Sequence, residues 1–113
     1  MNRLTLNLIQ GAVSFNFSED AAKQLQAEIS VLMQSLKAVA NVTPGAGSRP
    51  TPQKSMEYRH TGDIFLEIFC NPNIYPSPFA AKILITLRDD RLRVTSEAEL
   101  TQLIEDINTY LDS

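Results

Sequence analysis

The chain contains few of the residues from which reactive sites are usually built. Its 113 residues contain one cysteine, one histidine, four glycines and no tryptophan. The single cysteine, Cys70, excludes an internal disulfide and a zinc site built from several cysteines, which favours a reducing compartment. The glycines stand at positions 11, 45, 47 and 62, and they do not form a phosphate-binding loop. The sequence therefore predicts neither a metal nor another cofactor.

The chain also lacks an excess of positive charge and a long apolar run. Its net charge is −3 and its isoelectric point is about 5.0, which argues against nucleic acid as a partner. The arginines at 88, 91 and 93 are the local exception, and we interpret them as a solvated strand face. No stretch is long enough to span a bilayer, and residues 1–11 lack the apolar core of a signal peptide. We therefore expect a cytoplasmic protein with no membrane partner.

Strict alternation of apolar and polar residues predicts three β-hairpins. Their turns are predicted at Gln10–Gly11, at Thr61–Asp63 and at Asp89–Asp90, with Gly62 at a position that tolerates a positive φ. In each hairpin most of the large apolar side chains fall on one face, so the hairpins predict half-buried antiparallel sheet. The expected cross-strand pairs are Leu8/Val13, Leu6/Phe15 and Leu4/Phe17, then His60/Ile64, Tyr58/Leu66 and Met56/Ile68, and finally Leu87/Leu92 and Ile85/Val94.

Two amphipathic helices and two loops separate these hairpins. Ser18 is a suitable N-cap for a helix over residues 19–40. A second helix is predicted to open at Ser96–Glu99, which has the pattern of a capping box, and to run to Leu111. Residues 43–54 carry prolines and glycines without periodicity and predict a flexible loop, and residues 71–80 predict a proline-stiffened one.

The resulting element order, ββ-α-ββ-ββ-α, predicts a single α+β domain over residues 1–113. We expect a two-layer sandwich in which one six-stranded, mostly antiparallel sheet carries both helices on one face. In element order the chain resembles longin-like and profilin-like domains, in which two strands, a helix, a strand meander and a terminal helix recur. The resemblance is one of topology, and no functional residue is transferred from it.

The chain offers few groups for chemistry. One hypothesis places a ligand-binding or catalytic pocket between sheet and helices, with Tyr58, His60 and Asp63 at its mouth. The competing interpretation is that His60 is a polar residue at the end of a strand, and that Cys70 is a buried structural thiol. A cavity lined by Tyr58, His60 and Asp63 would favour the pocket.

Apolar residues on the solvent side of the predicted sheet point to a different function. Phe65, Phe69 and Leu84 face outward, and Ile74, Tyr75 and Phe79 lie in the Pro-rich loop. Such residues are typical of a protein-binding surface, unless the loop folds across the sheet and covers them. The leading hypothesis is a small non-enzymatic interaction module, such as an adaptor, assembly factor or regulator, whose partner is another protein or a second copy of this chain.

A weaker hypothesis uses the same outward aromatic residues differently. Phe65 and Phe69, with basic side chains beside them at Arg59, Arg91 and Arg93, could stack on single-stranded nucleic acid. The acidic balance of the chain counts against this use.

Overall fold

The computed structural model describes residues 3–40 and 52–112, and within these ranges the chain forms six strands and two α-helices. The α+β class and the predicted element order are confirmed. The Pro-rich loop contains two short 3₁₀ helices, Pro72–Ile74 and Pro78–Ala80. The other bounds are β1 Arg3–Asn7, β2 Ala12–Asn16, α1 Glu19–Ala40, β3 Met56–Thr61, β4 Phe65–Cys70, β5 Lys82–Arg88, β6 Arg93–Glu99 and α2 Leu100–Asp112.

The expectation of one six-stranded sheet was wrong. The strands form a two-stranded sheet, β1-β2, and a separate four-stranded antiparallel sheet in the order β3-β4-β5-β6. The first hairpin packs against α2, and a backbone hydrogen bond of 3.2 Å from the Ile9 N–H to the Glu97 carbonyl joins its turn to β6. Its apolar face is buried in the common core, as the inner face of the four-stranded sheet is, so alternation alone could not reveal which sheet it belongs to.

Within their strands all three hairpins keep the predicted faces, but their registers differ from the predicted ones by two residues. Leu92, expected on the inner face opposite Leu87, lies instead in the third turn and is 62% exposed. The observed pairs include Leu6 with Val13, Tyr58 with Ile68 and Leu87 with Val94. A shift of two leaves every side chain on its face, because the side-chain period of a strand is two. The alternation pattern therefore specifies the face and leaves the register to the turns.

The turns are the physical cause of these registers. The first and third hairpins have four-residue loops, closed by backbone hydrogen bonds from Leu8 to Gly11 and from Asp89 to Leu92, both 2.9 Å. Gly11 adopts a φ of 98°, a conformation that side chains disfavour. A positive φ was expected at Gly62 and is not found; a Cβ there would meet His60 Nε2 at 2.8 Å, so a larger residue at this position would require the His60 ring to shift.

The second helix begins later than the capping-box pattern predicted. Residues 96–99 continue β6, with Ser96 opposite Ile85 and Ala98 opposite Ile83, and α2 starts at Leu100. Ala98 is buried in the core, so tertiary packing outweighs the local helix signal. The later start of α2 matters for function because it places Glu97 in β6, on the outer face of the sheet.

The structure confirms the predicted bounds of the first helix, residues 19–40. The Ser18 hydroxyl accepts a hydrogen bond of 3.1 Å from the Ala21 N–H, as an N-cap does. The buried stripe of α1 joins the inner face of the four-stranded sheet, the first hairpin and α2 in one core. Within the described residues, neither helix is long and apolar enough to cross a membrane.

Candidate functional site

The outer face of the four-stranded sheet carries an apolar pair in its middle. The register places Phe69 of β4 beside Leu84 of β5, with Glu97 of β6 next in the same row. Phe69 is 38% exposed and Leu84 is 41% exposed. Large apolar side chains left open to this degree on a sheet face are available for contact with another molecule.

The Pro-rich loop and this apolar pair together line a groove. A depression of about 270 Å³ lies between the sheet and the loop. Its lining residues are Phe69, Cys70, Asn71, Ile74, Tyr75, Lys82, Ile83, Leu84 and Glu97. The sequence predicted four of these, Phe69, Leu84, Ile74 and Tyr75, as interaction residues, and the structure brings all four together.

A local hydrogen-bond network holds the loop that carries Ile74. The Asn71 side chain caps the first 3₁₀ helix by accepting from the Asn73 N–H at 3.0 Å and from its Nδ2 at 2.9 Å. Asn73 Oδ1 in turn accepts from the Gln53 N–H at 2.7 Å, and Asn73 Nδ2 donates to the Gln53 carbonyl at 2.8 Å. Gln53 belongs to the segment predicted as the flexible loop 43–54, of which residues 43–51 lie outside the described residues. Ile74 is 66% exposed on this braced loop.

The floor of the groove is chemically inert. Cys70 is buried beneath it, and burial raises the pKa of the thiol from 9.0 to about 11. The thiol is therefore protonated at neutral pH, and a protonated thiol is a poor nucleophile. The pKa of the half-buried Tyr75 is also raised, first by burial and second by the neighbouring Cys70, while a hydrogen bond with the Lys82 backbone opposes the shift.

Among the described residues, the rim of the groove carries one charge of each sign. Lys82 and Glu97, both exposed, flank the apolar pair on β5 and β6. Sequence reasoning missed both residues. It placed Glu97 in the first turn of a helix, and only the strand pairing of β6 puts it beside Leu84.

Phe65 and Phe79, the remaining two predicted interaction residues, stand apart from the groove. Phe65 is four residues before Phe69 on β4, about 13 Å away at the usual strand rise. It is half-buried, with the Arg88 guanidinium 4.4 Å from its ring centroid. Phe79 is 85% exposed in the second 3₁₀ helix and is not among the groove residues.

The residues of the alternative pocket point in different directions. The Tyr58 hydroxyl donates to the Ala21 carbonyl at 3.3 Å inside the core, and burial raises its pKa to about 12. The His60 ring stands edge-on to Phe17 with centroids 4.9 Å apart, while Asp63 is exposed in the hairpin turn. A shallow depression touches Tyr58, but its lining includes neither His60 nor Asp63.

The remaining chemistry of the described residues is sparse. Within residues 3–40 and 52–112 no three histidine, cysteine or carboxylate side chains cluster as metal ligands would. The carboxylate of Glu67 is bound to Arg59 at 2.8 Å on the open sheet face, in a pair that water screens. Comparison of the chain with models of known protein families, with curated proteins and with solved structures found no match.

Proposed function

We propose that the protein is a non-enzymatic interaction module that binds a partner protein in the groove between β4, β5 and the Pro-rich loop. The observation that carries the proposal is the convergence of three exposed apolar side chains, Phe69, Leu84 and Ile74, on one depression. Apolar anchors at the centre of a polar rim are the arrangement that contributes most of the free energy in protein interfaces.

The shape and the charge of the groove favour an anchor residue from the partner. Its volume of about 270 Å³ is suited to one large aliphatic or aromatic side chain. Lys82 and Glu97 can pair with charges of either sign beside that anchor, which would set the orientation of the bound segment.

The braced loop supports the same function. Ile74 follows Pro72 and precedes Pro76. In the same loop the Asn71 side chain accepts from the Asn73 N–H, and the Asn73 side chain donates to the Gln53 carbonyl. Because this loop is already ordered, binding costs less conformational entropy than it would with a loop that folds on contact. We retain the cytoplasmic location predicted from the sequence as part of this proposal.

Site-directed photo-crosslinking tests the groove directly. We would replace Leu84 by p-benzoylphenylalanine, irradiate cells of the source organism that express the variant, and identify the products by mass spectrometry. We expect Leu84 to give a discrete product with another protein. The matched control is Leu92, which is exposed and apolar but lies in the β5-β6 turn outside the groove, and it should give no such product.

A second substitution links the product to the groove. Ile74→Ser removes an exposed anchor without touching the core, so it should abolish the Leu84 product while the protein stays folded. Equal crosslinking from positions 84 and 92, or a product that persists in the Ile74→Ser background, would contradict the proposal.

A further inference from the structure

A second surface, the open edge of β3, is distinct from the groove. β3 is the first strand of the four-stranded sheet and pairs with β4 alone among the described strands. The hydrogen bond from the Gly62 N–H to the Ile64 carbonyl, at 3.0 Å, establishes the phase of this ladder. Hydrogen-bonded pairs alternate along an antiparallel ladder, so Tyr58 and His60 direct their backbone groups toward β4.

The neighbouring residues of β3 therefore direct their backbone groups outward. These are Glu57, Arg59 and Thr61, and all three are exposed. A row of unpaired N–H and C=O groups on a sheet edge is a template for another strand.

The charges on this edge are complementary to a second copy of itself. Glu57 and Arg59 stand two residues apart on the outer face, with Tyr58 between them on the inner face. If two β3 strands pair antiparallel about a two-fold axis at Tyr58, each Glu57 lies opposite the other copy's Arg59. Opposite charges in directly facing positions stabilise a strand pair, and like charges destabilise it.

The same charges disfavour the adjacent registers. Only the odd-numbered residues of β3 direct their backbone groups outward. Each alternative register of the β3–β3 pair must therefore again place odd-numbered residues opposite odd-numbered residues. An axis at Glu57 would place two glutamates face to face, and an axis at Arg59 would place two arginines face to face. Within the described residues Arg59 forms an ion pair with Glu67, whereas Glu57 has no partner within 4 Å. A second copy would supply that partner.

The helix layer is compatible with this pairing. The edge of β3 is separated from α1 by a depression of about 370 Å³, whose lining includes Val31 and Ser35. Val31 is 60% exposed although it is apolar. A two-fold axis perpendicular to the sheet keeps both α1 helices on the same side, so each Val31 would face the gap between them.

We propose that the protein forms a homodimer through antiparallel pairing of β3 with β3 of a second copy, with Tyr58 at the two-fold axis and Glu57 opposite Arg59. The two four-stranded sheets then become one eight-stranded sheet. The outer-face groove remains open in each copy, because it lies at β4 and β5 and not at the edge.

Charge reversal at Glu57 and at Arg59 tests the proposal, because mixing the two variants should restore the dimer. By sedimentation velocity at micromolar concentration we expect the native chain to be a dimer. Glu57→Arg places arginine opposite arginine, and Arg59→Glu places glutamate opposite glutamate, so each variant should weaken its dimer by about tenfold or more. When the two variants are mixed, every facing pair is again of opposite charge, and a heterodimer should form.

Two further variants separate the edge from other surfaces. Glu99→Arg makes the same charge change on β6 and should leave the dimer intact. Glu57→Pro removes an outward N–H, which an edge strand tolerates, so the variant should fold by circular dichroism and be monomeric. A monomeric native chain would overturn the proposal, as would a dimer that survives Glu57→Pro or variants that fail to pair when mixed.

Discussion

Asp106 of α2 accepts two hydrogen bonds from Asn7 at the end of β1. The Asn7 backbone N–H donates to Oδ2 at 2.8 Å, and its Nδ2 donates to Oδ1 at 2.9 Å. Gln102 donates a third bond at 2.9 Å from one helical turn away. Because the Asp106 side chain is buried, these donors replace the water that a carboxylate would otherwise require. The contact attaches the end of β1 to α2.

Removal of this carboxylate should destabilise the protein. We expect Asp106→Ala to lower the free energy of unfolding by about 2 to 3 kcal/mol, because it leaves the Asn7 donors without their acceptor. The control is Asn108→Ala on the same helix, where the side chain is exposed and accepts one bond from Gln26. It should change stability by less than about 0.5 kcal/mol in urea denaturation. Equal effects of the two substitutions would show that the buried contact contributes little.

The inner and outer faces of β5 should respond differently to truncation. Ile85→Ala removes a fully buried side chain and should cost about 3 kcal/mol. Leu84→Ala, one residue earlier on the open face, should cost less than about 1 kcal/mol. Phe15→Ala in the first hairpin should match Ile85→Ala, because Phe15 is also buried. Chemical denaturation of the three variants measures the difference, and similar losses at 84 and 85 would refute the assigned faces.

The buried thiol of Cys70 should make stability depend on alkaline pH. Its pKa is 9.0 in the absence of the fold and about 11 in the folded chain. Below pH 9 both states keep the proton, so stability does not change; between pH 9 and 11 only the unfolded state loses it, so the free energy of unfolding falls. The loss should reach roughly 2 to 3 kcal/mol at pH 11.

Comparison with Cys70→Ala isolates this contribution. In that variant the decline should begin nearer pH 10, where the buried Tyr58 starts to contribute because its own pKa is raised from 10.0 to about 12. Urea unfolding from pH 8 to 11 measures both curves. Identical slopes between pH 9 and 10 would show that the thiol is not protected.

Substitution of the two outer phenylalanines, Phe65 and Phe69, should lower the melting temperature to different degrees. Phe69→Ser removes a side chain that contributes to the groove but not to the core, so the melting temperature should stay within a few degrees. Phe65→Ser should lower it further, because Phe65 is half-buried and packs beneath the Arg88 guanidinium. A thermal melt of each variant tests the order, and a larger loss at Phe69 would mean that its ring is covered.

Several features could be predicted from the sequence because they depend on neighbouring residues. The Ser18 cap and the apolar stripe after it determine α1, and alternation determines which side of each hairpin is buried. The same alternation identified Phe69 and Leu84 as outward residues, and proline density identified the loop that carries Ile74. These signals are local, and the fold agrees with them.

The sequence by itself thus determined the elements, their faces and the exposed apolar residues of this protein. Only the tertiary structure decided the hairpin registers, the attachment of the first hairpin to α2 and the place of Glu97 beside Leu84. A register shift of two residues preserves the pattern, and Ser96–Glu99 fits a helix start as well as a strand end. Contacts between residues far apart in the chain settle such cases, because burial of Ala98 and the bond between Asn7 and Asp106 stabilise one arrangement over the other.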